Sequence, residues 1–370
     1  MSNVSSSSAG PLAGVRVIEF SGIGPGPFAC MLLSDLGAEV IRVDRPGARL
    51  GDRLDIVGRG RKTVLLDLKN ADHKTQVMDL LAQADVLVEG FRPGVMERLG
   101  FGPDAVAERN PKLVYGRMTG WGQEGPLAQA AGHDINYVAI SGALAAIGEK
   151  DRSSVPPLNL VGDYGGGSLY LVVGLLAAVL EARSSGRGQV VDAAICDGVV
   201  SLMTLFQTQR LRGTYQEMRG TNMLDGGAPY YRAYETADGR QVSVGAIEPK
   251  FFDLLCEKLG VPEELRKAQN DRSRWPEMAD TLAQIFCMRT QAEWCELLEG
   301  SDACFAPVLT LSEAAQHPHL RARSVFEELD GVMHTAPAPR FSRTPARIQW
   351  AAPKQAVAVS DVLEHWSRQS

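Results

Sequence analysis

"VRVIEFSGIGPGPFACMLLSDLGAEVIRVD", residues 15–44, decides the fold class. Residues 15–20 form a short β-branched run and read as a strand. "SGIGPGP" follows as a turn, and "FACMLLSDLG" has helical spacing that ends at Gly37, a residue suited to a helix C-cap. Residues 39–43 return to a strand and stop at Asp44. Strand, turn, helix and strand in this order open a doubly wound α/β fold on a parallel sheet.

The same alternation continues downstream. Residues 63–68, 85–90 and 112–118 read as strands with helical segments between them. Residues 134–147, 167–183 and 196–212 read as long helices, the last two flanking a strand at 189–194. Near residue 220 the character changes. "YYRAYET", the Asp238-Gly239 turn and "RQVSVGAI" make a hairpin, and helices follow at about 249–259, 275–288 and 291–299. The expected organisation is a Rossmann-like large domain over 1–224 and a smaller α+β domain over 225–315. A segment at 316–370, whose "PAPRFSRTPARIQW" lacks periodicity, should run over the surface back to the large domain.

The chain has 370 residues, 45% of them hydrophobic, enough for a large core. Its net charge of −6, without a long basic run, argues against general nucleic-acid binding. The start, "MSNVSSSSAGPLAG", has no signal-peptide pattern and reads as Ser-rich disorder. The most apolar run, residues 169–180, is short of the roughly 20 residues that span a bilayer and reads as a buried helix, with no membrane partner. Six scattered cysteines show no zinc or disulfide spacing, which fits a reducing cytoplasm. No metal site is expected, since His317 and His319 in "HPHL" have no nearby carboxylate or Cys to complete a set.

Gly22-x-Gly24 after a first strand invites a dinucleotide reading, but Pro27 stands where the third glycine belongs, next to a further Pro25. Proline removes the backbone N–H that would cradle a pyrophosphate, so a tight turn feeding a helix is the better account. Residues 42–62 carry seven basic and three acidic side chains, a local +4 in an acidic chain. That is either a solvated face or a phosphate site. Arg92, in "EGFRPG" after a strand, stands where open α/β sheets bind ligands.

Two segments carry candidate chemistry. His133 precedes a helix whose N-cap could be Asp134, and Asp163 precedes three glycines and a long apolar helix. Each reads either as helix capping or as part of an acid–base site. The glycines of "GDYGGG" permit close backbone approach beside a helix N-terminus, where an oxyanion could be held near Gly165–Gly167. Such a terminus lowers the pKa of Asp163, whereas burial or a neighbouring anion raises it. Glu248 before Pro249 is ordinary helix-start chemistry on its own.

"GVRVIEFSGIGPGPFACMLLSDLGAEVIRVDRPG", "EGFRPGVMERLGFG", "GHDINY", "GDYGGG" and "PAPRFSRTP", in this order from about residue 11 to 350, resemble the family III CoA-transferases. They are most similar to the racemase branch, the α-methylacyl-CoA racemases. The resemblance implies an interlocked homodimer whose active site lies between the large domain of one chain and the small domain of the other. The transferases use the glycine-segment Asp as a nucleophile and typically lack the His of "GHDINY"; this chain has both. The resemblance therefore implies His133 and Asp163 as the acid/base pair, with Glu248 supporting the histidine. It further implies CoA contacts from Arg45, Lys62, Arg92, Arg98, Asp134 and Tyr137. The substrate would be an acyl-CoA thioester, with CoA part of the substrate and no separate cofactor.

Overall fold

The computed structural model describes residues 10–368. Of the stretch expected to be disordered, residues 1–9 lie outside the described residues, whereas residues 10–14 form a turn held by Leu12 N, which donates to Leu36 O at 2.9 Å. Six parallel strands, β1 (Arg16–Phe20), β2 (Glu39–Asp44), β3 (Arg61–Leu65), β4 (Val86–Glu89), β5 (Val114–Thr119) and β6 (Val190–Ala194), form one sheet in the order β3-β2-β1-β4-β5-β6. β1 pairs in parallel with both β2 and β4, so the strand order reverses beside it. Ligands of open α/β sheets bind at that reversal, beyond the carboxyl ends of the strands. The strands are apolar with little alternation because both faces are covered; all four residues of β4 are buried.

β3 begins at Arg61 rather than at 63. A charged residue can open this strand because its charge is matched inside. Arg61 Nε lies 2.5 Å from Glu19 Oε2 of β1, and both side chains are buried. Arg59 makes an equally buried pair with Asp35 at 2.6 Å.

Two helices expected to be continuous are broken, and the breaks move the domain boundaries. The helix Asp134–Ile140 ends before Gly142, which takes a φ of +86° and starts a separate turn. The helix Ile195–Leu202 stops before Met203. Residues 142–157 and 203–317 accordingly form the second compact unit, and the remaining three segments form the first. The boundary expected at 225 thus falls at 203, and a second crossing at 142–157 was not anticipated.

The second unit holds an antiparallel sheet of β7 (Tyr231–Glu235), β8 (Gln241–Gly245) and β9 (Phe305–Pro307). Its helices Pro249–Leu259, Trp275–Phe286 and Gln291–Leu298 bury Phe252, Leu255, Met278, Phe286 and Trp294 in a core of its own.

The C-terminal segment does more than cross the surface of the first unit. The Gln349 amide donates to the carbonyls of Ser34 and Ala38, and the Trp350 indole donates to Arg61 O at 2.9 Å. A last helix, Val359–Ser367, buries Val359, Val362 and Trp366 in the sheet's core. These lie at helical spacing, which the Pro- and Arg-rich stretch before them obscured.

The apolar run at 169–180 belongs to a longer helix. A π-helix, Leu160–Ser168, continues into the α-helix Leu169–Ser185, giving 26 residues. By length and composition it could cross a membrane, and half of its apolar window is buried within the chain.

Candidate active site

The loop after β1 and the loop after β4 face each other across the strand-order reversal. With the segment after β5 they frame a cleft of about 520 Å³. Arg92, His133, Asp134, Tyr137 and Asp163 all line it. Of the expected site residues, these five are brought together in the first unit.

His133 reaches the cleft as the N-cap of helix Asp134–Ile140, with extended backbone at φ −131°. Its backbone N–H donates to Asn136 Oδ1 at 3.0 Å, and its carbonyl accepts from Asn136 N at 2.8 Å. These bonds fix the backbone and leave the exposed imidazole outside the cap. His133, not Asp134, is therefore the capping position. Behind it the segment is braced by aromatic packing. Tyr137 donates its hydroxyl to Gly132 O and meets Trp121 edge-on, with ring centroids 4.6 Å apart.

Asp134 has a different duty from the one the sequence suggested. Its Oδ1 accepts the backbone N–H of Asp163 at 2.7 Å, tying the His133 and Asp163 segments together. A Cβ on Gly162 would lie 2.2 Å from that same oxygen, so only glycine admits the contact.

Asp163 sits within the π-helix rather than at a helix cap. The turn is fastened on three sides. Tyr164 stacks on Phe28 at 3.9 Å. The Ser168 hydroxyl lies 2.7 Å from Pro25 O and 3.0 Å from Asp163 O. Gly24, at φ +69°, is so close that a Cβ there would come 2.9 Å from Asp163 Oδ2. This crowding half-buries the carboxyl, and burial raises its pKa, with the Asp134 carboxylate adding to the rise. A side-chain hydrogen bond with Asn159 and the nearby His133 oppose it without reversing it. Burial and the neighbouring anion thus outweigh the hydrogen bond with Asn159 and the charge at His133.

The other expected residues are placed differently. Gly166 and Gly167 do not open onto the cleft. A Cβ on Gly166 would lie 2.8 Å from Val199 N, and one on Gly167 would lie 3.1 Å from Ile195 Cγ1, so these glycines let two helices touch. The oxyanion role expected near them is therefore corrected to a packing role. Lys62 is engaged by Glu39 at 2.6 Å, and Arg45 is exposed just past the carboxyl end of β2. Arg98 lies on helix Val95–Leu99, where its guanidinium neighbours Gly94. None of these three lines the cleft. Glu248 belongs to the second unit, where it is the exposed N-cap residue of Pro249–Leu259. His317 pairs with Glu299 at 2.9 Å. The basic run at 42–62 largely dissolves into ion pairs of Arg42, Arg59, Arg61 and Lys62, leaving Arg45, Arg49 and Arg53 exposed on a loop.

Residues 12–356 match the family model for CoA-transferase family III. The chain belongs to that family. It is 46% identical over 336 residues to the α-methylacyl-CoA racemase of Mus musculus, covering 90% of this chain and 87% of the relative. It is 44% identical to that of Homo sapiens over 339 residues, with the same coverage. Among solved structures it is similar to a hypothetical protein from Mycobacterium tuberculosis, with a TM-score of 0.81 and 29% identity, covering 97% of this chain and 100% of that one.

In this family III protein the sequence reading missed Asn159 and Ser168. Neither stands in a chemical motif, and both act through a turn whose π geometry has no local signature. The one available hint was their spacing around Asp163, four residues before it and five after.

Proposed function

We propose that this chain is an isomerase that inverts the α-carbon of 2-methylacyl-CoA thioesters by two-base proton transfer. The observation that carries the reading is that an exposed imidazole and a carboxyl of raised pKa line one small cleft. The racemase names of the mouse and human relatives support it.

The thioester lets an α-carbanion delocalise onto its carbonyl as an enolate. His133, neutral, takes the α-proton of one epimer as the C–H bond breaks. Asp163, protonated, returns a proton to the other face, leaving imidazolium and carboxylate. Exchange with water resets both groups, and the reverse direction exchanges their roles. A raised carboxyl pKa suits a proton donor and disfavours the free carboxylate that a transferase nucleophile requires. No electrons are transferred, so the reaction calls for no redox cofactor, and CoA serves as the handle on the substrate.

Tyr137 and Asp134 border the bound thioester in this reading, and the basic side chains Arg45, Lys62, Arg92 and Arg98 contact the phosphate-bearing part of CoA. Glu248 supports His133 across a homodimer that brings the small unit of one chain to the large unit of the other. An apolar face on the long helix, with Val173 65% and Leu180 69% exposed, is in keeping with a second copy as its cover. Six free cysteines are in keeping with a cytoplasmic protein.

The deciding experiment incubates one 2-methylacyl-CoA epimer with enzyme in heavy water and no acceptor acid. Racemisation gives α-deuterium and the opposite epimer. An obligatory acceptor acid, with the α-proton retained, would establish CoA transfer through Asp163 instead.

A further inference from the structure

Glu89, on the cleft wall that carries Arg92, belongs to a group of charges that the proton-transfer chemistry does not use. Glu89 ends β4 and is fully buried. Arg117 is its direct partner on β5 and is buried too. Arg117 Nε donates to Glu89 Oε1 at 3.0 Å, and its two terminal nitrogens reach Glu97 Oε1 and Oε2 at 2.8 and 3.3 Å. The second Glu89 oxygen accepts the backbone N–H of Phe91 at 2.7 Å.

These bonds have a definite topology. Phe91 starts the loop, Glu97 lies on the helix that ends it, and Arg92 stands between them on the cleft wall. One guanidinium thus holds both ends of the loop against the strand next door. Burying the Glu89 and Arg117 charges for structure alone is an unfavourable choice, because well-packed apolar residues would serve as well. Arginine's rigid fork can grip two carboxylates at fixed angles, and lysine's single point charge cannot.

We propose that Arg117 is a positioning residue that sets Arg92 for the nucleotide end of CoA, acting through Glu89 and Glu97. The inference rests on the acyl-CoA reading and on Arg92 as a CoA contact. Its consequence is selective. Loosening the clamp displaces Arg92 and weakens recognition of the CoA phosphates. The His133–Asp163 pair, held by its own bonds, keeps its geometry.

The test compares two substrates, a 2-methylacyl-CoA and the same acyl group on pantetheine, which lacks the nucleotide. Arg117→Lys should raise KM for the CoA thioester about tenfold, leaving KM for the pantetheine thioester and kcat for both within about twofold. Glu97→Gln, at a half-exposed position that does not threaten folding, should move the same ratio about threefold. A purely structural role would change both substrates alike. If both variants leave the ratio of the two KM values unchanged while Arg92→Gln alters it, the clamp inference is overturned and the CoA reading stands. If Arg92→Gln leaves the ratio unchanged as well, Arg92 is not a CoA contact and the inference falls with that assignment.

Discussion

Two helix beginnings meet in the cleft, and they treat water in opposite ways. At 132–137 the chain makes an ordinary capped start and leaves His133 exposed at its edge. At 159–168 it makes a π turn and presses Asp163 against Gly24 and Asp134. The first arrangement keeps an imidazole accessible. The second half-buries a carboxyl against Gly24 and the side chains of Asp134 and Asn159. The different surroundings of imidazole and carboxyl arise from how closely the chain approaches each group, and at Asp163 it is Gly24 that permits the close approach.

The comparison is broken most directly by removing each partner in turn. His133→Ala and Asp163→Asn should each lower racemisation by about 10³-fold, within the usual range for a general acid or base. The two variants should differ in α-deuterium wash-in. His133→Ala should exchange only the epimer whose proton faces Asp163, and Asp163→Asn only the other. If both variants exchange the same epimer, the two groups share a face and the two-base scheme fails.

A subtler change attacks the second beginning alone. In Gly162→Ala the added methyl would lie 2.2 Å from Asp134 Oδ1 and 2.9 Å from Val138 Cγ2. Asp134 must then release the Asp163 amide, and the π turn shifts. An effect on kcat of about 10²-fold is expected for a displacement of this kind. Far-UV circular dichroism should show the fold intact. Activity within twofold of the wild type would mean that the turn tolerates movement and that its geometry does not set the acid.

Most of the fold was legible because it is local. β-branched runs separated by helical spacing gave six strands within three residues of their ends, and the hairpin at 231–245 carried its Asp-Gly turn openly. The site was half legible. His133 and Asp163 stood out through their glycine contexts, but the reason for those glycines did not. Gly166 looked like an oxyanion device and proved to be a helix contact, because only the tertiary structure shows what a Cβ would meet. The domain crossings at 142 and 203 were hidden inside helical spacing that continues past them. Arg59 and Arg61 looked like a solvated charge run because their partners, Asp35 and Glu19, lie 24 and 42 residues away in sequence.

Charge can be separated from geometry at Asp134. Asp134→Asn retains an oxygen that can accept the Asp163 amide while removing the negative charge. That charge helps raise the Asp163 pKa, so the variant should lower it. The limb of the pH–rate profile that reports Asp163 should move toward lower pH, with kcat changed only a few-fold. An unmoved limb would assign the shift to burial alone and sharpen the contrast with His133.

The smallest effect is in stability, and its sign is fixed by the direction of the Asp163 shift. A carboxyl whose pKa is higher folded than unfolded is harder to ionise in the native protein. The resulting penalty is absent below the unfolded pKa, grows as pH rises through the interval between the two values, and is complete above the folded one. Asp163→Asn cannot ionise and escapes it. Near neutral pH the inactive variant should melt about 1 °C above the wild type, a modest gain because the carboxyl is only half buried and the chain is large. The gap should close as pH falls into the carboxylate range. A wild type that melts higher at neutral pH would mean that the ionised carboxylate is stabilised where it stands. Asp163 would then be poised to attack as a nucleophile rather than to deliver a proton.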